Sequence, residues 1–217
     1  MRQIVTGVII TVAILSARFS SAAENPTAEH TITVQIHDYS SVPADSLSSA
    51  TAIVTRMYER IGVRIQWRGV VRWEGRRPRY EGREETSHAA AQMTLIILNP
   101  KMAARGHMAP DVLGFAAVPD EGMGAIAYAI YDRVRSVARE VPTNEGSLLG
   151  FVMAHEIGHL MLGRGSHSET GLMNGRWDIH ELGRVDLLKL QFSDQQAAQI
   201  RSTIESESML LARATPR

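Results

Sequence analysis

His155-Glu156-Ile157-Gly158-His159, continuing as Leu160-Met161-Leu162-Gly163-Arg164-Gly165-Ser166-His167, is the stretch from which the rest of the chain can be read. On a helix that turns about 100° per residue, positions four apart lie on one face, one turn above the other. His155 and His159 can therefore reach one ion. Glu156 is rotated by one position, too far round to be the obvious third ligand but well placed to reach a water held by that ion. It is the candidate general base. Glu145 near the start, followed by apolar residues through Leu162, predicts a helix whose Phe151, Val152, Ile157, Leu160 and Met161 make it a mostly buried rod. Gly163 and Gly165 then end it, since a glycine past the last turn takes the left-handed conformation cheaply. Two imidazoles and a carboxylate are costly to bury without a partner, and a metal is the simplest one.

A third donor must come from elsewhere. His167 follows the glycine turn directly, and His180 and Glu181 lie further on. Thr170-Gly171-Leu172-Met173-Asn174-Gly175 comes next. At this point the sequence resembles the metzincin clan of zinc peptidases, whose extended motif has two helical histidines, a glycine at a turn, a third histidine and then a methionine-containing turn. The usual intervals after the second histidine are three and three; here His159 to Gly163 to His167 are four and four, so the turn is two residues longer. Leu172-Met173, six residues past His167, resembles the matrixin-like Met-turn, and Ser168 follows the third histidine as it often does in that branch.

The resemblance implies Zn2+ held by His155, His159 and His167, Glu156 as the catalytic residue, and Met173 as an apolar floor that binds nothing. A second lineage of zinc peptidases, the gluzincins, takes a glutamate roughly twenty residues after the second histidine, which keeps Glu181 open. Its segment contains Gly183 and reads weakly as a helix.

Composition narrows the classes of function. The 217 residues are 44% hydrophobic and 21% charged, enough for one sizeable core, and Lys+Arg and Asp+Glu both number 23. No net field therefore argues for nucleic acid or an anionic membrane. Arg2, an apolar run from Ile4 to Leu15 and Ser20-Ser21-Ala22-Ala23 have the three-part layout of a secretory signal peptide, with residues 1–23 removed on export. The run is short of the ~20 residues that span a bilayer, so no stable membrane insertion is expected after cleavage. With Cys 0, no disulfide staples the protein and no cysteine can cap the metal. The few residues before Thr31 leave no room for a folded propeptide.

Thr31 to Tyr39 alternates apolar and polar residues and is rich in β-branched types, which predicts a strand with one buried face. A helix from Pro43-Ala44-Asp45 to about Arg60, closed by Gly62, leads to a second alternating strand, Val63 to Trp67, as parallel neighbours require. Val70 to about Gln92, with its interleaved Arg and Glu, reads as an exposed loop, and His88 in it as a surface histidine. Met93 to Leu98 reads as a central strand buried on both faces. Val112–Val118 and Gly124–Tyr131 read as adjacent strands across a Pro119-Asp120-Glu121-Gly122 turn. Ser193 with Gln196 predicts the cap of a last amphipathic helix running to about Leu211.

This order is similar to the N-terminal subdomain of metzincins over roughly residues 31 to 175, and the resemblance implies an α+β, metzincin-like (zincin) fold: a twisted mixed sheet of about five strands, a backing helix, an active-site helix and a small, mostly helical C-terminal subdomain. Residues 24–217 form one catalytic domain, with subdomains over about 31–165 and 166–217. In the family the strand matching Leu113 to Val118 lies at the sheet edge above the metal, where an extended peptide pairs with it. Gly114, Phe115 and Ala116 are thus the candidate substrate-binding residues. The expected function is that of a secreted zinc-dependent metalloendopeptidase acting on a peptide or protein. The alternative is a secreted protein whose zinc is structural or non-catalytic.

Overall fold

A computed structural model describes residues 30–75, 77–82, 91–176 and 190–214; the leader, His88, His180 and Glu181 lie outside them. The alternating stretch at Thr31 is β1 (His30–Asp38), with Ile32, Val34 and Ile36 buried. Gln35 and His37, on its other face, are half-buried. Helix α1 (Ala44–Glu59) crosses to β2 (Val63–Glu74), which pairs parallel with β1. Next come β3 (Arg77–Glu81), β4 (Ala91–Leu98), the short α2 (Pro100–Arg105), β5 (Gly114–Ala117) and β6 (Ile126–Ile130). The sheet order is β3-β2-β1-β4-β6-β5. Both outer strands run antiparallel to their neighbours, and β5 is an edge.

Three expectations need correction. Val70 to Gln92 is not one loop: β2 runs on to Glu74, turns at Gly75 (φ 68°) and pairs with β3, Val70 opposite Glu81 and Arg72 opposite Arg79. The described residues of β3 are exposed, so its charged side chains cost nothing there and gave no apolar alternation to read. Nor is β4 buried on both faces. Ala91, Met93, Leu95 and Ile97 are buried, but Gln92 is exposed and Thr94 and Ile96 are half-buried. Finally, the strand expected up to Tyr131 stops at Ile130, and α3 (Tyr131–Glu140) begins at once. Helix α2 carried signals of its own: Asn99 Oδ1 accepts from the Met102 N–H at 3.0 Å, and Pro100 opens the first turn.

Helix α4 (Glu145–Leu162) is apolar on all sides and almost wholly buried. Asn144 caps it by accepting from the Ser147 N–H at 2.7 Å. Gly146 and Gly150 face α1 so closely that a Cβ would meet Ser46 O at 2.7 Å and Ala50 O at 2.9 Å respectively. The Tyr58 hydroxyl, from α1, donates to Ala154 O at 3.0 Å, immediately before His155. At the other end α5 (Asp194–Ala214) closes over the last turn. Gln199 Nε2 donates to Leu162 O and Thr203 Oγ1 to Met161 O, while the Gly124 N–H donates to Leu160 O, so carbonyls that a helix end leaves open are satisfied. The cap of α5 is reciprocal: Ser193 N–H to Gln196 Oε1 and Gln196 N–H to Ser193 Oγ.

Arg72 shows what the ribbon contributes. Its guanidinium donates to Asp38 Oδ2 at 2.7 Å and to Val42 O at 2.9 Å, and the Asp38 carboxyl also accepts from Ser40 and Val42 N–H. Burial pushes the Asp38 pKa up, against the pull of these N–H groups and of Arg72. Arg72→Met would leave that carboxylate buried with no countercharge. The expected loss is about 3 kcal/mol, read as a lower urea midpoint at unchanged slope; an unchanged midpoint would show that the pair contributes nothing.

Candidate metal centre and cleft

Helix α4 sets two imidazoles one turn apart, and the loop after it brings up a third. His155 Nδ1 lies 2.7 Å from Leu172 O, a carbonyl that can only accept, so this nitrogen carries the proton. His159 Nδ1 lies 2.8 Å from Ser166 Oγ, whose own hydrogen is given to Gly163 O at 2.9 Å. That nitrogen is also the donor. Both Nε2 atoms are then bare, yet His159 Nε2 sits 3.0 Å from His155 Nε2 and 3.0 Å from His167 Nε2. Bare nitrogens so close repel unless a cation lies between them.

The donor set suits zinc. Three imidazole nitrogens at bond lengths of about 2.0–2.1 Å in a tetrahedron stand roughly 3.3 Å apart, within a few tenths of an ångström of the 3.0 Å contacts. The three ligand atoms all lie within 4.8 Å of one another. Burial drives the His155 pKa down to about 4, and burial with the neighbouring imidazoles drives His159 to about 3, so both are neutral donors at neutral pH. Among the described residues His167 is the third donor; His180 and Glu181 are not described.

Glu156 points elsewhere, as its rotation on the helix requires. A Cβ on Gly114 would lie 2.8 Å from Glu156 Cγ and Oε1, so the carboxyl is packed under the first residue of β5. Burial pushes its pKa up to about 8. Met173 is fully buried beneath the helix: a Cβ on Gly158 would meet its Sδ at 2.8 Å. Its loop is tied on both sides, by the Ser168 N–H to Met173 O at 2.8 Å and by the Leu172 N–H to Gln191 O at 2.9 Å. Gly171 (φ 81°) approaches Gln191 O too closely for any side chain.

The three histidines and Glu156 line a cleft of about 420 Å³ roofed by β5. Gly114, Phe115 and Ala116 all border it, but in different ways. Gly114 faces Glu156, whereas the Phe115 ring stacks on Tyr128 at 4.3 Å in a small cluster with Met102 and Met108. Sequence reasoning passed over Ser166, which holds His159, Gly175, against which the His167 ring lies, and Arg164 on the rim. For Ser166 the signal was its place beside a candidate ligand, between a glycine and a histidine.

The sequence matches no protein-family model and no curated protein. Solved structures are similar to it in fold. One is archaemetzincin from Methanopyrus kandleri, at 14% identity and a TM-score of 0.50 over 85% of this chain and 99% of that one. Another is a zinc-dependent peptidase from Methanocorpusculum labreanum, at 16% identity and 0.48 over 77% and 99%. At the first of these scores the likeness is one of fold, an α+β mixed sheet with helices, and chemistry has to be drawn from the site itself.

Because Ser166 fixes the tautomer of His159, Ser166→Ala should weaken zinc binding about tenfold. Competition against a chromophoric chelator reads this directly; equal affinity would show that the hydroxyl does not orient the ligand.

Proposed function

We propose that the protein is an exported zinc-dependent metalloendopeptidase of the metzincin type, hydrolysing peptide bonds in a peptide or protein substrate. The observation that carries this reading is the convergence of His155, His159 and His167 on one point beside the Glu156 carboxyl, in a cleft bounded by an edge strand. Among the described residues, three donors with space beside them fit a catalytic centre better than a structural one, which closes with four. His167, the third donor among the described residues, supports the metzincin type over the lineage that would use Glu181. Met173 under Gly158 fits the role of an apolar floor.

When bound, zinc supplies a Lewis acid that polarises a carbonyl and acidifies a water. The chain's own groups do the rest. An extended substrate pairs its main chain with the free edge of β5 along Gly114, Phe115 and Ala116, which sets the scissile carbonyl over Glu156. Glu156 accepts a proton as water oxygen bonds to the carbonyl carbon, and passes it to the amine nitrogen as the C–N bond breaks. Desolvation makes this carboxylate a stronger base than an exposed glutamate. Ser166 and Leu172 O keep the two helical imidazoles in the tautomer that leaves Nε2 open.

The leader-like Arg2, Ile4–Leu15 and Ser20–Ala23 support export, and the residues after Ala23 then act as one catalytic domain, divided after about Gly165. Among the described residues no helix is long and apolar enough to cross a membrane.

Purified protein is expected to hold about one zinc per chain and to cleave a mixed peptide library. Glu156→Gln should keep the metal and lose at least about a hundredfold in kcat. A chelator should abolish cleavage while circular dichroism is retained. If the chelator instead unfolds a protein that cleaves nothing, the zinc is structural and the alternative of a non-catalytic binding protein holds.

A further inference from the structure

The metal cleft does not end at Ala116. A second hollow of about 850 Å³ adjoins it along the far part of β5 and the turn into β6, and the two share Ala116, Val118 and Arg164. Its other walls are small and apolar, among them Pro119, Met123 and Ile126. Arg164 stands at the junction. Gly163 and Gly165, both at positive φ (83° and 68°), make the turn that carries it. Arg164 Nε donates to Val118 O at 3.3 Å, and an outer nitrogen pairs with Asp120 Oδ1 at 3.4 Å.

Charge singles this residue out. Among the described residues lining the two hollows, Arg164 is the one that is cationic at every working pH. Its partner Asp120 is 90% exposed, so that pair is held weakly and an incoming carboxylate can displace it. Guanidinium binds carboxylate through two parallel hydrogen bonds, which ammonium or imidazole cannot match. Asp111, which precedes β5 in the chain, also lines the cleft.

We infer that Arg164 reads a carboxylate on the substrate, at the point where the metal cleft opens into the apolar hollow beyond Ala116. This rests on the peptidase reading above and deepens it. An extended chain advances about 3.3 Å per residue, so a peptide paired with β5 from Gly114 towards Val118 brings the carboxylate to Arg164 about two to four residues from the bond that is cut. That carboxylate is either an Asp or Glu side chain or the free end of the substrate.

The test uses the full zinc-loaded protein and paired peptides carrying Glu or Gln at each position up to four from the cleaved bond, all with amidated ends. A second set is shortened to end at those positions as free acid or amide. Wild-type protein should prefer the charged member about tenfold in kcat/KM at one position, and Arg164→Gln should bring that ratio to about one. Preference in the first set assigns a side chain, and preference in the second alone assigns the chain end. A ratio near one in wild type, or a preference that survives in Arg164→Gln, overturns the inference. The same pairs are titrated by fluorescence anisotropy onto Glu156→Gln and onto Glu156→Gln/Arg164→Gln. If no peptide is cleaved, the peptidase reading fails by itself. Arg164 is then judged on the affinity ratio alone, which must fall in the double variant for the inference to stand.

Discussion

Everything at the site depends on mutual repulsion held in check by packing. His159 Nε2 is brought to 3.0 Å from the Nε2 atoms of His155 and His167, and the tautomers of the two helical histidines do not allow their own contact to be a hydrogen bond. Only a rigid frame can hold such an arrangement ready for an ion. The frame is α4, which cannot slide or roll because Gly146 and Gly150 let it lie directly on the backbone of α1, and because Tyr58 pins it at Ala154. A helix with side chains at those two positions would stand further from α1 and carry the histidines with it.

The same economy of space recurs around the metal centre. Gly114 makes room for the Glu156 carboxyl, Gly158 for Met173, and Gly175 for the His167 ring. Each is a place where a missing Cβ lets a functional group come close. The surrounding protein is dry enough to keep two histidines neutral and to make a glutamate basic, so one set of packing contacts prepares the ligands and the base together.

Much of this was legible in the sequence, and the reasons differ by element. His155, Glu156 and His159 were readable because helical spacing turns a five-residue string into geometry. β1, α1 and the β5–β6 pair were readable because burial on one face writes itself as a period. The ribbon formed by the second half of β2 and β3 was not, because the described residues of β3 are exposed and its charged residues look like a loop. β4 misled in the opposite direction: its second face is only half covered, yet carries Thr94 and Ile96, which suit buried and half-buried positions alike. Ser166 and Arg164 were invisible because their importance comes from which atoms the glycine turn brings near, and no local pattern encodes that.

The contacts made by α5 tie the end of the chain to its beginning and to the metal helix. Arg201 donates to Ile61 O, Gln199 and Thr203 bond the carbonyls at the end of α4, and His30 meets Glu205 across a separation of 175 residues. Closing so long a loop costs entropy that these contacts must offset. The segment that holds the Met173 loop, at Gln191, runs directly into this helix. A chain cut before Gln191 would therefore keep its two helical histidines while losing the carbonyl that ties down Leu172, and with it the seat of His155 Nδ1.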